Sequence, residues 1–396
     1  MLDRLDGPCH LLRMNNSEDW GGWGNVPIDG DVRPFSLIDP VREYEDGNKK
    51  RHHFISVTYM NGFAGSDGRL WRYLAEKPAD PQRVAPRSFG YENFYYSQKL
   101  PDGTQDNHSF EDLWHPIETV WPETMRAVAA RRVSPAISFN LLGMATLMKT
   151  RVPAARERNE VLIAARLRAE IQADHEMGKL PLEYQRYADE LDTVPVGVNP
   201  QQTLLAMNAE FKDFGEFCFR LGFEVVHNKT STPFISSDNG VCVYDPRRPI
   251  HARRPYDFSD VIELVFPLDA WTLLRGSNRL KPVNQIVRHR TMSSSTAVRR
   301  INRTVAQFSY RFVIALDRSS DALALQYAGR VPTAEVRIRR LPKEIQIVWN
   351  HVFAPRPRLS QFIDTPEKAA RLEARMAAAR SAGEVPSANL TPPQGK

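Results

Sequence analysis

The sequence of 396 residues contains little cysteine, and its cysteines do not suggest a metal site. The three are Cys9, Cys218 and Cys242; they form no Cys-x-x-Cys pair, and none lies at zinc-ligand spacing from a histidine. This spacing argues against a zinc knuckle, and three scattered thiols suit a reducing cytosol.

Long apolar segments are also missing. No uncharged apolar run approaches the roughly 18 residues that a bilayer span needs. The N-terminus is charged and has no apolar stretch of the kind found in signal peptides. The sequence therefore predicts a cytoplasmic protein without a membrane partner.

Charge is unevenly distributed along the chain. With 42% hydrophobic and 25% charged residues the composition is that of an ordinary globular protein, which argues against collagen-like, coiled-coil and wholly disordered chains. The net charge of +6 conceals a split: residues 1–250 carry 29 basic and 35 acidic side chains, whereas residues 251–396 carry 24 and 12. A basic C-terminal third indicates nucleic acid as a candidate partner.

The hydrophobic periodicity changes twice along the chain. Short β-branched and aromatic runs stand near the N-terminus and again from residue 223, whereas 109–221 has helical periodicity interrupted by Pro116 and Pro122. The pattern predicts an α+β fold with an N-terminal β-rich segment, a C-terminal mixed or antiparallel sheet, and a helical block inserted between them. The expected segments are an irregular N-terminal extension (1–49), an α+β domain (50–317), a β-rich basic extension (318–363), an Ala/Arg-rich helix (364–381) and a disordered tail (382–396).

Several short motifs follow one another in an order typical of one bacterial family. They are the segment from His52 to Phe63, Phe94-Tyr95, Glu111 and Glu118 seven residues apart, Arg151-Val152-Pro153, and Phe234-Ile235-Ser236-Ser237-Asp238-Asn239. In this order they resemble the domain of unknown function numbered four-two-three-eight over about residues 50–317. Gly240 departs from the family pattern, which usually has proline there. The resemblance supplies no reaction. The α+β fold predicted above implies that the two ends of this region pack together, which would bring His52 or His53 near Asp238.

Two adjacent histidines and two glutamates are the first candidates for a site. His52 and His53 on an extended segment point to opposite faces, so at most one of them faces any one site. A neutral imidazole serves as a metal ligand or general base near pH 7. Glu111 and Glu118 end two His-x-x-Glu units that share one helix face, which suits a divalent metal such as magnesium. Structural histidines and a solvated helix face are the alternative interpretations.

Arg151 and the turn around Asp238 complete the candidate set. Arg151 precedes Val152-Pro153, so it should end a helix, where its guanidinium could bind a phosphate or form a structural ion pair, for example with Asp238. Ser237, Asp238 and Asn239 follow a β-run and either form a structural turn or stand at the mouth of a cleft. We predict catalytic roles for His52 or His53, Glu118, Arg151 and Asp238, with Glu111, Ser237 and Asn239 as further candidates.

Arginines of the basic region are the predicted nucleic-acid contacts. A solvated surface is the alternative interpretation. These residues are Arg247, Arg248, Arg253, Arg254, Arg288, Arg290, Arg299 and Arg300.

Two functions of different classes fit these features. One is a nuclease-like hydrolase of phosphodiesters that uses a His/Glu/Arg/Asp cleft, with or without a divalent metal. The other is a non-catalytic module that binds nucleic acid or protein through the basic third.

Overall fold

A computed structural model describes residues 33, 51–100, 103–132, 134–185, 198–247, 261–281, 287–329, 332–341, 344–353 and 374. The predicted α+β class is confirmed: strands lie at both ends of the family-like region, and a helical block lies between them in sequence. The expected C-terminal helix and tail (364–396), apart from residue 374, and almost all of the N-terminal extension lie outside the described residues.

Polar and proline residues set the starts of the main helices. Pro135, Pro153 and Pro200 stand in the first turns of three helices, where a missing N–H costs nothing. The Ser134 hydroxyl accepts a hydrogen bond from the Ile137 N–H and so caps the first of them. The helices in the described part of the chain are α1 (Val57–Met60), α2 (Ser109–Thr119), α3 (Trp121–Ala129), α4 (Pro135–Thr150), α5 (Pro153–Glu176), α6 (Leu182–Gln185), α7 (Pro200–Phe219), α8 (Ser295–Phe308) and α9 (Asp321–Tyr327).

The break predicted by Pro116 and Pro122 falls at one place. Pro116 lies inside α2, whereas Pro122 lies in the first turn of α3, and Val120 separates the two helices. The predicted division into two helices is therefore found, and it falls just before Pro122.

The strands form a central sheet, a second sheet and three two-stranded ladders. The strands are β1 (Arg51–His53), β2 (Leu70–Leu74), β3 (Lys77–Val84), β4 (Tyr91–Asn93), β5 (Gln98–Lys99), β6 (Gln105–Asp106), β7 (Gly222–Asn228), β8 (Ser236–Ser237), β9 (Cys242–Tyr244), β10 (Glu263–Pro267), β11 (Thr272–Ser277), β12 (Arg288–Met292), β13 (Phe312–Ala315), β14 (Pro332–Leu341) and β15 (Glu344–Phe353). The ladders are β1–β4, β5–β6 and β14–β15.

The central five-stranded sheet is mixed. Its order is β12-β7-β11-β10-β9, and only the β12–β7 pair is parallel. Alternate residues of β7 enter two different cores: Val225 packs with residues of the helical block, whereas Val226 packs with residues of α8. This alternation is what a strand buried on both faces requires.

A second sheet joins the two ends of the family-like region. Its order is β3-β2-β13-β8, so N-terminal β2 pairs antiparallel with C-terminal β13, and β13 pairs with β8. The expectation that the two ends pack together is met by these backbone hydrogen bonds.

None of the helices in the described part of the chain combines the length and the apolar character that a membrane crossing requires.

Candidate functional site

A buried ion pair links the end of α4 to α2. Arg151 is the C-cap of α4, because Val152 leaves the helical conformation before Pro153 begins α5. The residue is only 4% exposed, and its Nη2 lies 2.5 Å from Glu118 Oε1. The ion pair to Asp238 considered from the sequence is wrong: the partner of Arg151 is Glu118.

Glu118 is held in its charged form. Burial by itself raises the pKa of this carboxyl, but the charge and hydrogen bond of Arg151, with a further hydrogen bond from Ser56, bring the pKa below its ordinary value. The ion pair is therefore present throughout the neutral pH range.

His53 lies beside this ion pair, at the end of β1. The β1–β4 register places His53 opposite Tyr91, whose ring meets the imidazole edge-on at 5.3 Å. Burial and then the Arg151 charge lower the pKa of His53, while Glu111, Glu118 and a hydrogen bond with the Arg87 backbone act in the opposite direction. The imidazole is thus mainly neutral at pH 7.

One nitrogen of His53 has no hydrogen bond in the described part of the chain. Its Nε2 is buried and has no hydrogen-bond partner among the residues that the structure describes. The Arg151 Nε is in the same condition within that part of the chain. Because buried polar atoms are normally hydrogen-bonded, both atoms are candidates to contact a bound water or ligand.

Glu111 completes this group. It lies two helical turns before Glu118 on α2, so the two carboxylates share a face, and its charge acts on His53. We call His53, Glu111, Glu118 and Arg151 the His53 cluster. The structure thus brings together four of the residues selected from the sequence.

His52 lies on the opposite side of β1, as the alternation of an extended segment predicts. It is fully buried, its Nδ1 accepts a 2.8 Å hydrogen bond from the Tyr96 N–H, and its ring stacks on that of Tyr96 at 5.6 Å. The Tyr96 hydroxyl donates to the Arg151 carbonyl at 3.1 Å. His52 therefore supports the backbone around Arg151 from the core.

Asp238 lies outside the His53 cluster. It is 0% exposed, and its carboxylate accepts hydrogen bonds from the N–H groups of Tyr310, Arg311 and Phe312 at 2.9, 2.7 and 3.3 Å. The contact predicted from the sequence between this carboxylate and Arg151 or a histidine is replaced by these bonds to the backbone at the start of β13.

The neighbours of Asp238 belong to the same turn. Asn239 donates through Nδ2 to the Phe308 carbonyl at 2.9 Å, and the Ser237 hydroxyl accepts from the Asn239 N–H at 3.2 Å. The structural-turn interpretation accounts for all three residues.

The metal site predicted from the two His-x-x-Glu units would need at least three ligand side chains close together, and the described residues do not show such a group. Within the described ranges, no three His, Cys, Asp or Glu side chains come together in a way that could hold a metal ion. His115 lies instead with its Nε2 3.0 Å from the Thr119 hydroxyl, one turn further along α2.

The predicted nucleic-acid arginines divide into three groups. Arg247 pairs with Asp245 and Arg290 with Glu224. Arg288, Arg299 and Arg300 are exposed, and none forms an ion pair within the part of the chain that is described. Arg248, Arg253 and Arg254 lie outside the described residues.

The family suggested by the motif order is found. The sequence profile of the family described as "Protein of unknown function (DUF4238)" matches residues 51–319. The chain belongs to this family. The DUF4238 region contains the whole His53 cluster and both sheets, and it ends before the β14–β15 hairpin. No curated protein and no solved structure matches the chain.

Sequence reasoning missed two groups that shape this DUF4238 site. Ser56 caps α1 and also bonds Glu118. Tyr96 links His52 to Arg151. The Ser56–Glu118 and Tyr96–Arg151 contacts join residues that are far apart in sequence, so no local pattern predicts them. The sequence signal was limited to the position of Ser56 inside a family motif and of Tyr96 inside an aromatic run.

Proposed function

We propose that the chain is a phosphodiester hydrolase and that the His53 cluster is its catalytic site. One observation carries the proposal: the electrostatic influence of Arg151, a guanidinium held by a carboxylate, reaches a mainly neutral imidazole whose buried Nε2 has no hydrogen-bond partner among the described residues. A general base and a fixed cation are two groups that water attack on a phosphodiester requires.

The proposed reaction uses one proton shuttle. His53 takes a proton from a water molecule as the water oxygen forms a bond to phosphorus. The bond between phosphorus and the leaving oxygen then breaks, and the His53 imidazolium returns the proton to that oxygen. The products are a phosphomonoester and an alcohol, and the imidazole is neutral again.

Arg151 has the second role. Negative charge grows on the non-bridging oxygens as water adds, and a guanidinium can donate to two such oxygens at once. Glu118 acts as a positioning residue, because its contact with Arg151 fixes the guanidinium beside His53. The Arg151 Nε, which has no partner among the residues that the structure describes, provides one of the donors.

Cleavage assays with matched variants test this proposal. Labelled single- and double-stranded RNA and DNA are incubated with the full chain in Mg²⁺, in Mn²⁺ and in chelator. We expect cleavage that falls at least about 100-fold in His53→Gln and Arg151→Lys, since general bases and charge stabilisers typically contribute 10²–10⁴-fold. Arg166→Lys is the matched control, because Arg166 is 72% exposed and its one ion pair within the described ranges is with its helix neighbour Glu170.

The pH profile separates a catalytic His53 from a structural one. Because the working form is the neutral imidazole, the rate should fall as pH drops through the lowered pKa of His53, below 6.5. Absence of cleavage under all conditions, or cleavage that survives both substitutions, would refute the hydrolase.

A second function has its own supporting observation. Arg288, Arg299 and Arg300 are exposed without an ion pair in the described residues, so their charges are free to meet a phosphate backbone. Retention of oligonucleotides that weakens with salt, without cleavage, would favour a binding module. Replacing these three arginines by glutamine should then lower both the affinity and the steepness of its salt dependence.

A further inference from the structure

Two histidines that the hydrolase proposal does not use lie side by side on the central sheet. The parallel β7–β12 register pairs Thr291 with His227 and His289 with Val225, so His227, His289 and Thr291 point to one face. His227 Nε2 lies 2.7 Å from His289 Nδ1, and the rings stack at 5.0 Å. Both side chains are half-buried, at the edge of the sheet.

The hydrogen bonds around the pair fix their protons. His289 Nε2 lies 3.3 Å from the Arg132 carbonyl, which can only accept, so this nitrogen carries a hydrogen. In the neutral ring His289 Nδ1 is then an acceptor, and His227 Nε2 must donate to it. The series of hydrogen bonds therefore runs from His227 to His289 to the Arg132 carbonyl. His227 Nδ1, at the start of the series, carries a lone pair.

The charged side chains that act on the pair, among the residues that the structure describes, are cations. Arg131, in the turn after α3, donates through Nη2 to the Thr291 hydroxyl at 3.1 Å, and exposed Lys229 follows β7. Burial is the largest cause that lowers the pKa of each histidine; Arg131 acts on both, and Lys229 and His289 act on His227, whose pKa is about 4. No acidic group of the described chain appears among these influences.

The backbone of Arg131 is itself unusual. Its φ is +54°, a left-handed conformation that costs a non-glycine residue about 1 kcal/mol. An arginine kept in this conformation, bonded to the threonine on the edge strand, holds a positive charge beside the two imidazoles.

We propose that His227, His289, Arg131 and Lys229, the His227 cluster, bind a phosphate group, either as a free phosphate or phosphomonoester or as a backbone phosphate of single-stranded nucleic acid. Arg131 and Lys229 supply fixed charge, and His227 supplies a donor once its Nδ1 takes up a proton. The inference is independent of the hydrolase proposal, because the residues belong to other elements and no cleavage is needed.

Phosphate binding at this place changes the proton balance of the pair. The charged groups that face the imidazoles are Arg131 from the turn after α3 and Lys229 from the segment after β7, while β12 adds Thr291 and the turn adds the Arg132 carbonyl. An anion offsets the cationic repulsion that keeps the imidazoles neutral. Binding should therefore take up a proton and become tighter as pH falls from 8 to 6.

Titration calorimetry of the full chain with inorganic phosphate provides the first measurement, in two buffers of different ionisation enthalpy at pH 6, 7 and 8. After the protons gained or lost by phosphate itself are subtracted, we expect net proton uptake by the protein and a Kd for the phosphate dianion that decreases with falling pH. Arg131→Gln should raise the Kd about tenfold, the worth of one charge-assisted hydrogen bond. The proton uptake is read on the wild-type protein, so it stands even where a variant fails to fold.

Arg279→Gln is the matched control for this site. Arg279 is exposed and follows β11 at the end that pairs with Gly222, whereas the other end of β11 pairs with His227. An equal loss of binding in Arg279→Gln and Arg131→Gln would show general surface electrostatics and overturn the site, as would phosphate binding without proton uptake.

Anisotropy with a labelled single-stranded oligonucleotide distinguishes the two sources of phosphate. Affinity for the oligonucleotide that depends on Arg131 and His227, together with weak binding of inorganic phosphate, would support a backbone phosphate as the ligand. Arg131-dependent binding of inorganic phosphate with no added affinity for the oligonucleotide would support a small phosphate ligand. Absence of both kinds of binding would refute the proposal.

Discussion

Arg151 Nη2 and Glu118 Oε1 lie 2.5 Å apart, and this contact fixes the end of α4 against α2 beside His53. The two partners differ in exposure, since Arg151 is 4% exposed and Glu118 retains 26%. Water can therefore compensate the carboxylate more easily than the guanidinium. Removing the carboxylate leaves a buried cation, which is the costly way to break such a pair.

Glu118→Gln should accordingly destabilise the protein by about 3 kcal/mol at pH 7, the lower end of the range for broken buried pairs. The measurement is the midpoint of urea unfolding at an unchanged slope. Glu170→Gln serves as the control, because Glu170 pairs with Arg166 on an exposed face of α5 and should cost less than about 0.5 kcal/mol. Equal effects of the two substitutions would contradict the structural importance of the buried pair.

The stabilisation by Glu118 should also depend on pH in a defined direction. Its pKa is lower in the folded protein than the ordinary 4.5, so the folded state favours the ionised form. This contribution is complete above pH 4.5 and is lost as the pH falls through the lowered pKa. The difference between wild type and Glu118→Gln should therefore shrink in acid; a constant difference down to pH 3 would show that charge is not its cause.

Asp238→Ala should act on stability at a distance from the His53 cluster. The substitution removes the acceptor of three backbone N–H groups at the start of β13 and leaves them buried without a partner. We expect a loss of about 3 kcal/mol or more, since each unsatisfied buried donor costs about 1–3 kcal/mol. Thermal unfolding followed by circular dichroism measures it.

Asp67→Ala is the comparison for Asp238→Ala. Asp67 is exposed and pairs with Arg83 at 2.7 Å, so its loss should lower the unfolding temperature far less than the loss of Asp238. Should Asp238→Ala be as mild as this control while cleavage is lost, Asp238 would regain the catalytic role that the sequence suggested for it.

The order and the ends of the secondary-structure elements could be predicted from sequence, because prolines and residue periodicity determine them locally. Pro153 indicated both the end of α4 at Arg151 and the start of α5, and the alternation at His52 and His53 indicated that only one histidine would face a site. Helical and β periodicity likewise placed the helical block between two β regions.

The partners of the buried side chains could not be predicted from sequence, because they depend on packing between elements that are distant in sequence. Nothing local distinguishes Glu118 from Asp238 as the partner of Arg151; only the pairing of β8 with β13 shows that Asp238 is already bonded to backbone. The His227–His289 contact was missed for the same reason, since 62 residues and a parallel register separate the two rings.

Gly90→Ala should be severely destabilising for two reasons. Gly90 has φ +74°, and a Cβ there would lie 2.3 Å from Ile55 Cγ2. The Gly90 carbonyl also accepts a hydrogen bond from the N–H of Phe54, the residue after His53. Gly68 has the similar φ of +71°, but a Cβ there would meet nothing within 4 Å. Gly68→Ala should thus cost only the conformational strain, about 1 kcal/mol, and Gly90→Ala at least about 2 kcal/mol more.

Urea unfolding of both glycine variants checks this difference. Because the two positions share the strained backbone, the difference between them isolates the contact with Ile55. Equal losses would mean that the turn before β4 can shift without affecting the segment that carries His53.

Lys149→Met should stabilise the protein at neutral pH. Lys149 is 4% exposed within α4, and burial, with the charge of Arg158, lowers its pKa to about 8, although Glu210 acts in the opposite direction. In the part of the chain that is described, its one hydrogen bond is to the Val241 carbonyl at 3.3 Å. Below pH 8 the folded state therefore bears the full cost of a buried ammonium, and methionine should raise the free energy of unfolding by about 2 kcal/mol after the lost hydrogen bond is subtracted.

The pH dependence identifies the cause of that gain. The unfolded lysine keeps its proton to about pH 10.4, whereas the folded lysine loses it near pH 8, so the stability of the wild type rises with pH between these values. The advantage of Lys149→Met should consequently disappear by about pH 10.4, while Lys179→Met, at an exposed position, should change stability by less than about 0.5 kcal/mol at any pH. A gain that stayed the same from pH 7 to pH 10.4 would mean that better apolar packing, and not the buried charge, distinguishes the two side chains in this core.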